Sequence, residues 1–174
     1  MTIQHKNTYF NVELKNKFYQ INFSTDHVAV IAHTNQNELV IVKAKRPILK
    51  KSIYEFPSGN PLNLKEKFVN CAARELYEET GIKIKNKKRF KKYSKVNPMP
   101  ARTKNNIHFY SIKITKKEYL TRQIHDDEID EVKLVSLESL IKKIKQGNFF
   151  VTSHIALFLF FLLDKNIINY KKSK

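Results

Sequence analysis

The sequence predicts one α/β domain built on a mixed sheet, and three observations predict it. Short apolar runs rich in Val and Ile, bounded by Asn, Pro and Lys, recur in the first third of the chain and again beyond residue 90. Residues 63–80 switch to a 3.6-residue period and end on Gly81, the mark of a helix with a left-handed stop. Two more helical stretches close the chain. A mixed sheet with a few helices belongs to the α/β or α+β class.

Taken in order, residues 9–14 and 17–23 read as a hairpin turning at Lys15-Asn16. Val28-Ala29-Val30-Ile31-Ala32 is apolar throughout, as a strand buried on both faces must be. Asn35-Gln36-Asn37 is a turn, 39–42 returns as a strand, Pro47 interrupts it, and 53–56 resumes the sheet. In the helical segment, Asn63 is the expected N-cap with Glu66 three residues on, an approximation to a capping box. Val69, Ala72, Ala73 and Leu76 fall on one side and form its buried face. Strands are expected at 90–93, 107–114 and 132–135, with helices at 137–144 and 153–163.

A chain of 174 residues, 41% apolar, supports one well-packed domain, taken as 1–174 with 1–25 as its N-terminal hairpin. Cys71 is the sole cysteine, so no internal disulfide forms, which suits a reducing cytosol. The first residues lack the apolar core of a secretory signal. The longest apolar run, 155–163, is far short of the roughly 18 residues a membrane helix needs. A cytoplasmic location with no membrane span is the expectation. The 33 basic and 16 acidic residues give a net charge of +17, which attracts nucleotides, RNA or other polyanions. The lysines are spread along the chain and lack regular aromatic interleaving, so the charge bounds the partner without naming it.

Within this basic chain, Glu75, Glu78 and Glu79 occur together on the helix. Relative to Glu75 they lie at about −60° and about +40°, an arc of roughly 100°. Like charges at these spacings repel, and the last turn of a helix disfavours negative charge. A solvated acidic patch partnered by Arg74 and nearby lysines is one account. A hard divalent cation, which seeks clustered carboxylate oxygens, is the other.

Gly59, Glu66 and Arg74-Glu75-Leu76-Tyr77-Glu78-Glu79-Thr80-Gly81-Ile82 resemble the Nudix box, G-x5-E-x7-R-E-U-x-E-E-x-G-U with U apolar. From Glu66 onward every fixed position matches. Six residues, not five, separate Gly59 from Glu66, which puts one extra residue in the loop before the helix. The resemblance implies a Nudix α/β/α sandwich with the box as loop-helix-loop. It also implies that Glu75, Glu78, Glu79 and the Ser58 carbonyl hold Mg²⁺ (or Mn²⁺), with Arg74 orienting the glutamates and Glu79 a catalytic residue. Glu66, on the far side of the helical wheel from the three carboxylates, reads first as a cap.

Glu55-Phe56-Pro57-Ser58-Gly59, Arg46-Pro47 and the acidic segment 126–132 resemble the ADP-ribose and nucleotide-sugar pyrophosphatase branch. That likeness implies hydrolysis of a nucleoside diphosphate linked to X. Glu128 is the first candidate base and Glu131 the second, while Arg46, Glu55 and Arg102 are candidate substrate contacts. Guanidinium groups suit phosphate because they bond it bidentately. Many relatives are dimers that exchange N-terminal strands, and the hairpin is compatible with a homodimer of that kind. Hydrolysis of RNA 5′ ends or nucleoside triphosphates is a rival that the charge supports, and a non-catalytic Nudix-fold binding module is a rival of another class.

Overall fold

The computed structural model describes residues 2–123 and 126–168. Its N-terminal part is a three-stranded antiparallel sheet of β1 (Thr2–Lys6), β2 (Phe10–Lys15) and β3 (Phe18–Phe23). The expected hairpin is therefore two strands of three. Its turn falls one residue later than predicted, on Asn16 and Lys17, whose φ angles are 49° and 68°. Two successive positive φ values give the backbone twist that matches a right-handed hairpin. β1 was not foreseen because its exposed Thr2-Ile3-Gln4-His5-Lys6 carries no apolar alternation. This small sheet is tied down by the Ile21 N–H, which donates to the Arg102 carbonyl at 2.7 Å.

The main sheet contains β4 (His27–His33), β5 (Leu39–Arg46), β6 (Lys51–Glu55), β7 (Ser58–Gly59), β8 (Lys91–Lys92), β9 (Ile107–Lys113) and β10 (Ile129–Val135). Its order is β10-β5-β4-β9-β8, with β4 and β9 parallel and the other pairs antiparallel. β4 and β5 meet at only one residue pair, His33 with Leu39. The chain from 51 to 59 fills the split between them. β6 pairs with β5, the backbone turns at Phe56-Pro57, and β7 then pairs with β4.

Because side chains alternate across a strand, each central strand feeds two cores. Val28, Val30, Val40, Val42, Tyr110 and Ile112 face α1 (Phe68–Thr80) through Ala72 and Leu76. Ala29, Ile31, Leu39, Ile41 and Phe109 face α3 (Leu137–Lys145) and α4 (Thr152–Asp164) through Leu140, Leu157 and Phe161. The architecture is thus the α/β/α sandwich, with the short α2 (Lys116–Leu120) after β9. α4 does not bury its whole girth, since Leu159 and Leu163 remain about half exposed. Among the described residues no helix is long and apolar enough to cross a membrane.

The helix α1 starts later than the sequence pattern suggested. Asn63 is not its N-cap: the Asn63 side chain accepts from the Lys65 N–H and its carbonyl from the Glu66 N–H, closing a turn that ends before Phe68. Asn favours such local turns over a helix interior. At the other end Gly81 does stop the helix, with φ +71° and its N–H donating to the Tyr77 carbonyl at 2.7 Å. A Cβ there would stand 2.3 Å from the Gln123 carbonyl oxygen. Gly81→Ala is therefore expected to destabilise the fold by about 2–3 kcal/mol, read from the denaturant midpoint.

Candidate active site

α1 delivers Arg74, Glu75, Glu78 and Glu79 beside the loop 56–60, which crosses the sheet at the split. Arg74 is the hub. Its Nη1 donates to Glu75 at 2.8 Å and to Glu78 at 2.7 Å, and its Nη2 to Glu66 at 3.2 Å and the Asn60 carbonyl at 2.7 Å. Burial opposes the Arg74 charge, but the Glu66 bond and the Glu75 charge outweigh it and hold the guanidinium above its ordinary pKa.

The position of Glu66 corrects the helical-wheel expectation. It lies outside α1, so the wheel does not apply, and it bonds Arg74 directly instead of pointing away from the other carboxylates. It still caps a backbone N–H, that of Leu62 at 2.8 Å. Glu66 belongs to the same cluster through Arg74.

Glu79 is buried, and one of its oxygens accepts from the Ser58 N–H at 3.1 Å. Burial first, and the Glu75 charge second, push its carboxyl well above the usual range. Glu75 is likewise buried and pushed up to about 7, with burial again the main cause. Gly59 makes room for it, because a Cβ on Gly59 would stand 2.2 Å from the Glu75 carboxylate. Two desolvated acids side by side are costly without a cation. The second oxygen of each of Glu75, Glu78 and Glu79 has no hydrogen bond among the described residues. Such clustered, unpaired carboxylate oxygens are the donor set a hard divalent cation takes. Among the described residues no three ligand side chains converge closely enough to grip an ion as they stand, and Arg74 is paired with two of the carboxylates.

Arg46, at the end of β5, reaches along the neighbouring β6 to Glu55, whose register partner is Val42, the guanidinium donating from Nε and Nη2 to both carboxylate oxygens at 2.7 Å. Glu55 is thereby occupied by Arg46, which in turn feels the charges of Glu79 and Glu128. Glu128 is exposed at the end of the loop before β10, its carbonyl accepting from the Lys45 N–H. Glu131 is engaged by Lys133 at 2.8 Å and by the Tyr54 hydroxyl. The exposed Arg102 stands apart: among the described residues its side chain has no bond, and its backbone serves β3. The sequence did not single out His27, Asn60 or His154. His27 Nδ1 bonds Asn60 Oδ1 at 2.8 Å, and the buried His154 Nδ1 accepts from the Phe56 N–H at 3.2 Å. Lone histidines in apolar segments carry no spacing signal, so only the fold could reveal them.

The family model described as the NUDIX domain matches residues 24–155, well over half of the chain. The chain belongs to the Nudix family. Two relatives give this family membership a context. The chain is 35% identical over 120 residues to a methanol dehydrogenase activator of Bacillus methanolicus, covering 68% of this chain and 62% of that protein. It is 30% identical over 118 residues to an ADP-ribose pyrophosphatase of Bacillus subtilis (strain 168), with the same 68% and 62% coverage. The chain therefore spans 62% of the length of both.

Family members generally use divalent metal ions, which gives the Gly59 contact a measurable consequence. The Glu75 carboxylate is the flexible end of its side chain, so Gly59→Ala displaces it without breaking the backbone. Cation affinity is expected to fall about tenfold. The thermal midpoint is expected to stay within about 3 °C of the parent. Titration with Mn²⁺ and a melting curve check both.

Proposed function

We propose that this Nudix protein is a divalent-metal-dependent pyrophosphohydrolase acting on a nucleoside diphosphate linked to X, with ADP-ribose or a nucleotide sugar as substrate class. The observation that carries this reading is the cluster itself: Arg74 joins Glu66, Glu75 and Glu78 beside a buried Glu79 that is anchored to the Ser58 N–H. Glu75, Glu78 and Glu79, with the Ser58 carbonyl, would hold Mg²⁺ or Mn²⁺. A divalent ion held there would supply neutralisation of the diphosphate and activation of water.

The chain's own residues do the rest. Arg74 holds Glu75 and Glu78 in register and shares their charge, while Gly59 keeps the Glu75 site open. Arg46, held flat by Glu55, presents its remaining N–H groups to a phosphate oxygen. Glu128, whose charge reaches Arg46, is the proposed base. Glu128→Gln is expected to lower kcat about 100-fold with Mn²⁺ affinity kept; unchanged turnover would remove Glu128 from that role. Arg102, standing apart from the cluster, is proposed only as an outer contact for the far end of the substrate.

The B. subtilis relative's name supports the ADP-ribose class, and the other relative's name speaks of a different output. A Mg²⁺-dependent screen of ADP-ribose, nucleotide sugars, dinucleoside polyphosphates, NADH and triphosphorylated RNA, with products read by mass, tests the reading. Two monophosphate products from ADP-ribose or a nucleotide sugar support it. Pyrophosphate release from triphosphorylated RNA alone would shift the assignment to RNA ends, and binding without product would make the protein a non-catalytic module.

A further inference from the structure

Residues 56–60 join β6 to the loop before α1 and carry Ser58 and Gly59 of the site. β6 ends at Glu55, β7 has two residues, and Pro57 has no N–H to give. The middle of the segment pairs with β4, Ser58 and Gly59 in register with Ala29 and Val28 and the Pro57 carbonyl accepting from the Val30 N–H at 2.9 Å, so side chains take up the two ends at Phe56 and Asn60. The Phe56 N–H sits at the corner, on a residue with no exposed surface, where an unmade hydrogen bond is costly. It donates to His154 Nδ1 from α4, behind the sheet. At the opposite end of the segment, His27 Nδ1 bonds the Asn60 side chain, and the Asn60 carbonyl accepts from Arg74.

Each histidine thus leads to carboxylates by a short path. From His154 the path runs through Phe56 and Pro57 to Ser58, whose N–H meets Glu79. From His27 it runs through Asn60 to Arg74, which meets Glu66, Glu75 and Glu78. His154 accepts through a ring nitrogen, so its Nδ1 carries no proton and its proton is on Nε2. Burial, with the charges of His27 and Arg46, pushes the imidazole down to about 3, which keeps that lone pair available. Its ring also packs near Phe56 and Phe149, at 6.1 and 6.4 Å between centroids. Packing alone would be served equally by an apolar side chain.

We infer that His154 and His27 are positioning residues that clamp the two ends of segment 56–60 and so set Ser58 and Gly59 against the glutamates of α1. The inference rests on the pyrophosphohydrolase reading for its catalytic meaning, but the clamp itself is measurable without substrate. Groups that orient a metal site from outside are worth about 10–100-fold in affinity or activity when removed.

The test compares His154→Leu, which removes the acceptor, with His154→Asn, whose amide oxygen can take the place of Nδ1. In full-length protein, hydrogen exchange of the peptide covering 56–60, Mn²⁺ affinity, and kcat and KM are read separately. His154→Leu is expected to speed exchange of this segment, weaken Mn²⁺ about tenfold and lower kcat more than it raises KM. His154→Asn is expected to recover Mn²⁺ affinity to within about threefold of the parent. Unchanged exchange and Mn²⁺ affinity in His154→Leu, or equal losses in both variants, would overturn the clamp. If His154→Leu does not fold, His27→Ala decides: faster exchange at 58–60 with weaker Mn²⁺ supports the clamp, and parent behaviour overturns it. A parent protein that hydrolyses none of the nucleotide panel defeats the functional reading instead, and the exchange comparison still decides the clamp.

Discussion

Glu79→Gln is expected to lower kcat about 1000-fold while leaving the metal-free protein at least as stable as the parent. Gln has the same shape, keeps an oxygen to accept from the Ser58 N–H, and removes a negative charge from a buried position. That charge is disfavoured first by burial and then by the charge of Glu75, so its loss relieves the apo fold. The same charge is what the proposed metal and base chemistry uses, and losing such a group costs about 10²–10⁴ in rate. Urea unfolding without metal and turnover with Mg²⁺ measure the two effects. Full turnover in Glu79→Gln would remove this residue from catalysis.

Arg74→Ala should have the largest effect on stability. Arg74 meets three carboxylates, and its own side chain is 19% exposed against 13% for Glu66 and 12% for Glu75. Removing one partner of a buried ion pair typically costs 3–5 kcal/mol, because the other charge is left uncompensated. Glu78 is 43% exposed, so water takes over part of its share, and about 3 kcal/mol is expected in metal-free protein. Arg74→Lys restores a charge but cannot donate to Glu66, Glu75, Glu78 and the Asn60 carbonyl at once, so it is expected to recover only part of the loss. Denaturant midpoints of the three proteins, with and without Mg²⁺, give the comparison.

Much of the fold could be read before the structure. β4 was legible because a strand covered on both faces is apolar at every position. β9, α3 and α4 followed from period and length. What escaped were elements held by partners and not by pattern: the exposed β1, the two-residue β7, and α2, none of whose five residues is fully buried. The start of α1 was misplaced because Asn63 can cap a helix or close a turn, and the choice depends on which backbone N–H groups come within reach.

For the candidate site, the sequence by itself determined the chemistry available. The spacing of Arg74, Glu75, Glu78 and Glu79 fixes one helical arc of carboxylates, because helix geometry depends only on local hydrogen bonds. Tertiary structure alone decided what surrounds that arc. Glu66 joins Arg74 from outside the helix, Arg46 is taken up by Glu55, Arg102 stands away, and His27 and His154 hold a loop they do not neighbour in sequence. Those relations depend on where chain segments cross, and at Phe56-Pro57 the crossing is made by a strand that leaves β5 to join β4.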